Sequence, residues 1–227
     1  MPSRRLHGEW RYTSAGNLLH GDWRMEKLDL KKQWKHLYQP KADEIVTVDV
    51  PPLTYLMVDG EGDPNVSQSF QEAVEALYSL SYTLKFSLKK SPRAIDYGVM
   101  PLEGLWWADD PQAFILADKA SWKWTVMILQ PEFIAKREVD AAFAEVRKKK
   151  NPAALDRVRF ESLTEGPSAQ ILYLGPFAGE GPTIQRIHDF IHAAGKELRG
   201  KHHEIYLSDP RRTAPEKLKT IIRQPME

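Results

Sequence analysis

The apolar positions of this chain fall into short runs and one-sided stripes, and their spacing predicts alternating strands and helices. Ile45-Val46-Thr47-Val48-Asp49-Val50 is rich in β-branched residues, Pro51-Pro52 breaks it, and Leu53-Thr54-Tyr55-Leu56-Met57-Val58 reads as a second strand portion. After the Gly60-Glu61-Gly62-Asp63-Pro64 turn, Asn65 or Ser67 can cap a helix with Phe70, Val74, Leu77, Tyr78 and Leu84 near the helical period, running to about Lys85. A strand is predicted over 96–103, leading through Gly104 to Leu105-Trp106-Trp107. Another is predicted over 122–129, followed by a helix from about Ile134 to Lys149.

The second half repeats this order. Ala169-Gln170-Ile171-Leu172-Tyr173-Leu174 runs into Gly179-Glu180-Gly181-Pro182, then a helix from Thr183 to about Leu198, then strands over 204–210 and 218–223. The fold class predicted is α+β, with strand-helix-strand-strand twice, at about 45–130 and 155–225. Neither copy covers its own apolar face well, so the two are expected to pack as a pseudo-twofold pair around a central ligand cleft. Both glycine-flanked turns read as turn chemistry, since neither carries the Gly-Lys-Ser/Thr ending of a phosphate loop. Residues 1–24 have no such periodicity and are expected to be an extension that need not belong to the fold, which occupies 25–227.

Composition narrows the function classes. Lys plus Arg total 32 against 31 Asp plus Glu, so no whole-chain field attracts nucleic acid or an anionic membrane. The absence of cysteine excludes disulfides, thiolate metal sites and a cysteine nucleophile, which agrees with a reducing compartment. The apolar runs are strand-length, so a soluble cytoplasmic protein is expected. No Gly-x-Ser-x-Gly elbow is present. His188 and His192 stand at i, i+4 without a third ligand, and His202-His203 reads as an exposed loop pair, so no metal or other cofactor is expected.

Two runs set acids among aromatic residues. Leu102-Glu103-Gly104-Leu105-Trp106-Trp107 follows Tyr97, and Glu204-Ile205-Tyr206-Leu207 lies near the carboxyl end. A core strand gains nothing from a carboxylate, whereas a cleft for a flat apolar or cationic molecule gains from aromatic faces beside a buried acid. Glu204 and Tyr206 alternate onto one strand face. Trp106 and Trp107 point to opposite faces; Trp107 shares parity with Glu103 and is the preferred ligand-stacking indole if Gly104 makes no bulge, with Trp106 the other candidate. Tyr55 and Tyr97 complete the set. The residues expected to handle water or protons are Glu204 and Glu103, with Tyr206 and Tyr97 as donors; Tyr55, Trp107, Trp106 and Glu204 are expected to hold the ligand.

The doubled strand, Gly-Glu-Gly turn and helix, the Leu102–Trp107 run and the Glu204–Leu207 strand together resemble the GyrI-like (gyrase-inhibitor-like) small-molecule-binding proteins over roughly 26–226. The resemblance implies a duplicated SHS2 module and a buried glutamate that meets hydrophobic cations, at Glu204. The Leu-Glu-Gly-Leu-Trp-Trp run resembles the stand-alone branch, some of whose members hydrolyse cyclopropanoid DNA-alkylating compounds. No helix-turn-helix segment precedes the module, so the regulator role of other members is not implied. Hydrolysis, plain sequestration of hydrophobic or cationic small molecules, and inhibition of a protein target such as gyrase remain open at this stage.

Overall fold

A computed structural model describes residues 27–42, 44–109 and 119–227. The strands are β1 Val46–Val50, β2 Leu53–Glu61, β3 Leu102–Trp107, β4 Lys123–Leu129, β5 Arg159–Leu163, β6 Gly166–Leu174, β7 His202–Tyr206 and β8 Lys219–Pro225. They form one curled, wholly antiparallel sheet in the order β1-β6-β8-β7-β3-β4-β2-β5. The helices are α1 Leu30–Gln33, α2 Lys35–Tyr38, α3 Gln68–Lys90, α4 Lys136–Lys149 and α5 Gly181–Ala193. The strand-helix-strand-strand connection occurs as β2-α3-β3-β4 and as β6-α5-β7-β8, with β3 and β7 side by side at the centre of the sheet.

One face of the sheet carries the long helices. Leu77, Leu80 and Leu84 of α3 share a core with Leu56, Val58, Val126 and Ile128, and α4 packs against α3. Ile187 and Ile191 of α5 share a second cluster with Ala169, Ile171 and Ile222. Since α3 packs on β2 and β4, and α5 on β6 and β8, the central pair β3 and β7 lies between the two helices. The other face of the sheet meets α2, whose Leu37 and Tyr38 are buried.

The element boundaries differ from the sequence expectation where single residues decide them. Ser67 caps α3 as expected, and buried Leu88 carries the apolar stripe past Lys85. The helix α5 stops at Ala193 instead of Leu198, with Gly195 in the left-handed region at φ +71°. The strand expected from residue 96 begins at Leu102, because Pro101 has no N–H to give a ladder; Tyr97 makes only an isolated bridge to Leu28. His202-His203 lies within β7 and is buried, correcting the exposed loop pair expected there. The short helices α1 and α2 and the edge strand β5 were not anticipated. The extension expected over 1–24 lies outside the described residues. Among the described residues no helix is long and apolar enough to cross a membrane.

Candidate functional site

The cleft between α3 and the start of α5 has a volume of about 1950 Å³. Its floor is the helix-facing side of β3 and β7, its near wall is the aromatic stripe of α3, and its far wall is the turn before α5. Along α3, Tyr78, Tyr82 and Phe86 recur every four residues and stack at ring separations of 6.1 and 6.2 Å. Trp106 stacks on Phe70 at 6.0 Å and meets Trp122 edge-on at 5.8 Å, while Phe177 meets Tyr206 edge-on at 5.6 Å. These rings offer π faces and little hydrogen bonding, a surface that sorts ligands by flatness and charge.

The acids sit at the bottom of this aromatic hollow. Glu204 receives the Tyr206 hydroxyl at 2.8 Å on one oxygen, and His202 Nε2 lies 3.2 Å from the other. The Trp106 indole N–H donates to the Tyr206 oxygen at 3.0 Å, so a chain of contacts runs from the indole to the carboxylate. Gly104 makes room for it. A Cβ there would stand 2.7 Å from Trp106 Nε1 and 3.1 Å from the Tyr206 oxygen, and β3 keeps its register through this residue without a bulge.

Glu180, from the Gly179-Glu180-Gly181 turn, is a second acid of the cleft and is almost wholly buried. Burial, and then the negative charge of Glu204 beside it, raise the pKa of its carboxyl far above the ordinary carboxylate range. At neutral pH the Glu180–Glu204 pair therefore retains a proton, one member able to give it and the other able to take one. Burial, and then Glu204, likewise push the Tyr206 phenol well up, which keeps it a donor. The sequence reading missed Glu180 because a glycine-flanked acid before a helix is also ordinary turn chemistry. The usable signal was the recurrence of Gly-Glu-Gly ahead of each helix.

Glu103 does not join this pair. Across the β3–β7 ladder Glu204 lies opposite Gly104, and Glu103 lies opposite Ile205, so the two glutamates point to opposite faces of the sheet. Glu103 is fully buried, receives the Tyr38 hydroxyl at 2.7 Å and lies 3.0 Å from His203 Nε2. The other imidazole nitrogen is 2.9 Å from Glu165, which is held by Arg223 at 2.9 Å. Burial opposes the charge of both partners. Against it, Glu165 and Glu103 raise His203 to about 9, and His203 with Arg223 lower Glu165 to about 2. Arg223 also donates to the Leu37 carbonyl, and Gln170 to that of His36, so the network fastens α2 to the sheet.

The other candidates part in the same way. Trp106 faces the cleft, whereas Trp107 keeps parity with Glu103 and lies on the opposite face. Tyr55 is buried near Tyr38, Glu103 and Arg223. Tyr97 is buried beside Phe133 at 5.7 Å, outside the cleft, and burial raises its phenol pKa. Of the residues singled out in the sequence, the cleft brings together Glu204, Tyr206 and Trp106. Among the described residues no cluster of three His, Cys, Asp or Glu is placed to hold a metal.

The profile of the GyrI-like small molecule binding domain matches residues 43–226. The chain belongs to this family. An uncharacterized conserved protein from Listeria innocua is 39% identical, with a TM-score of 0.82 over 88% of this chain and 100% of that one. A hydrolase from Listeria innocua is 38% identical, with a TM-score of 0.80 over 89% of this chain and 100% of that one. The EcmrR C-terminal domain, 10% identical at a TM-score of 0.51 over 81% of this chain and 97% of that one, shares the fold of the GyrI-like chain. Comparison with curated proteins returns no match.

Proposed function

We propose that this GyrI-like domain takes a flat, hydrophobic, aromatic or cationic molecule into the cleft between α3 and α5 and adds water across an activated, strained ring such as a cyclopropane conjugated to a carbonyl. The observation that carries the reading is the Glu180–Glu204 pair, two carboxyls sharing a proton at the base of an aromatic hollow. Glu204 takes a proton from water, whose oxygen forms the new bond to the ring carbon. The breaking C–C bond delivers its electrons to the conjugated carbonyl oxygen, which receives the Glu180 proton. The pair ends with the proton on Glu204 in place of Glu180, and transfer within it restores the starting state. Tyr206 and His202 orient Glu204, and the aromatic wall excludes bulk water from the reacting carbon. Each positioned proton transfer of this kind contributes about 10² to 10⁴-fold. The hydrolase from Listeria innocua, which matches this chain along its whole length, supports a hydrolytic reading.

Incubation with a cyclopropane-bearing alkylator should yield the water adduct by mass spectrometry. Glu204→Gln should lose about 10² to 10⁴-fold of that turnover while still binding a neutral flat ligand, read as tryptophan quenching. Turnover undiminished in Glu204→Gln would overturn the assignment. The size of the cleft and its long aromatic wall also support a second reading, sequestration without chemistry. Unaltered compound with strong quenching would favour that one.

A further inference from the structure

Beneath the acid pair of the cleft lies a fully buried hydroxyl, that of Thr220. Thr220 stands on β8 directly opposite Tyr206 of β7 on one side and Tyr173 of β6 on the other, so the three side chains share the helix-facing side of the sheet. Among the described residues its Oγ1 makes no aligned hydrogen bond, and the same is true of the buried Oε1 of Glu180. Two buried oxygens of complementary role are therefore left to each other, and Thr220 acts on the Glu180 carboxyl as a hydrogen-bond donor.

Glu180 is fixed at its root and free at its tip. Its N–H donates to the Phe177 carbonyl at 3.2 Å, and its own carbonyl receives the N–H groups of Thr183 and Ile184 at 2.8 and 3.0 Å, which pins the backbone at the start of α5. The ionisable groups that face its carboxyl are Glu204 and Tyr206 from β7, Tyr173 from β6 and Lys119 from the turn ahead of β4, while His202 reaches it only through Glu204. Burial and Glu204 favour the neutral form; Thr220 and Lys119 favour the ionised one. A neutral carboxyl carries one O–H, and an oxygen that already accepts a hydrogen bond is the poorer place for the proton.

The geometry points to Thr220 as a positioning residue of the cleft, whose hydroxyl donates to Glu180 Oε1 and leaves the proton on the other oxygen, toward Glu204 and the ligand. This inference rests on the role proposed above for Glu180 as the proton donor. A carboxyl held from below by one oxygen presents its O–H in one direction, and a donor already aimed needs no reorganisation when it is used. The same contact keeps Glu180 able to release its proton in spite of burial and the charge of Glu204.

Carboxyl NMR on the chain with labelled glutamates tests this without any turnover. The native chain should show a glutamate titrating at about 9 that is absent in Glu180→Gln. Thr220→Val keeps the shape of the side chain and removes the hydroxyl, and should move that titration up by about one pH unit, the size of one hydrogen bond to an ionised group. Thr220→Ser should leave it in place, and Thr220→Ala carries the same expectation as Thr220→Val should that variant not fold. With the cyclopropane-bearing alkylator, Thr220→Val should lose about tenfold of the turnover at neutral pH, and Thr220→Ser should restore it. A titration unmoved by Thr220→Val, one moved as far by Thr220→Ser, or turnover undiminished in Thr220→Val would overturn the proposal. A native chain that turns nothing over while these titrations shift as expected would overturn the hydrolytic reading and sustain the positioning of Glu180 by Thr220.

Discussion

Two carboxylates one strand apart, Glu103 and Glu204, have opposite fates. Glu103 is enclosed by Tyr38 and His203, and the chain of charges continues through Glu165 to Arg223 until every member is answered by an opposite charge or a hydrogen-bond donor. Glu204 lies beside a second acid, Glu180, at the base of an open hollow, and burial, together with this like-charge neighbour, raises the affinity of Glu180 for a proton. Burial alone therefore does not mark a reactive acid. A saturated network is a fastening, and an acid left with a like charge and an accessible space is a reagent.

That contrast can be broken most forcefully on the fastened side. Arg223→Met leaves Glu165 buried with half its countercharge and should cost about 3–5 kcal/mol of stability, measured by chemical denaturation. Ligand binding by the folded fraction should remain. If stability is untouched and binding is lost instead, the division of roles between the two faces is wrong.

The pH dependence sharpens the same point. His203 is held up to about 9 from an ordinary 6.5, so its contribution is complete below 6.5 and is lost as pH rises through about 9. Glu165, held down to about 2 from 4.5, contributes fully above 4.5 and loses its contribution as pH falls through about 2. The stability difference between the native chain and His203→Gln should be largest below 6.5 and shrink toward pH 9. A difference that grows on the alkaline side would contradict the network.

On the cleft side, Gly104→Ala puts a methyl where Trp106 and Tyr206 meet, within 2.7 Å of the indole nitrogen. Overpacking of this kind costs about 1–3 kcal/mol, and ligand affinity should fall with it, because the indole must move. The smallest expected effect has the opposite sign. Glu180→Gln removes a group whose raised pKa favours the folded state at low pH and loses that benefit as pH rises. Its melting temperature should therefore equal or exceed that of the native chain at alkaline pH, while proton donation in the cleft is lost. A lower melting temperature at alkaline pH would mean that Glu180 is structural.

Much of the architecture was legible along the chain because strands and helices announce themselves through local spacing: Ser67 caps α3 as expected, and Glu204 and Tyr206 share a face by simple alternation. Parity also separated Trp106 from Trp107. What parity cannot supply is which face of a strand meets a cleft and which meets a charged core. That depended on β3 lying beside β7, on Gly104 falling opposite Glu204, and on the Gly179-Glu180-Gly181 turn arriving over β7 from another part of the chain. The carboxylates, the indoles and their spacing are properties of the sequence. The decision that Glu204 should face another acid, and Glu103 a histidine, was made by long-range strand pairing, since a carboxyl takes its charge state from neighbours that only the folded chain brings near.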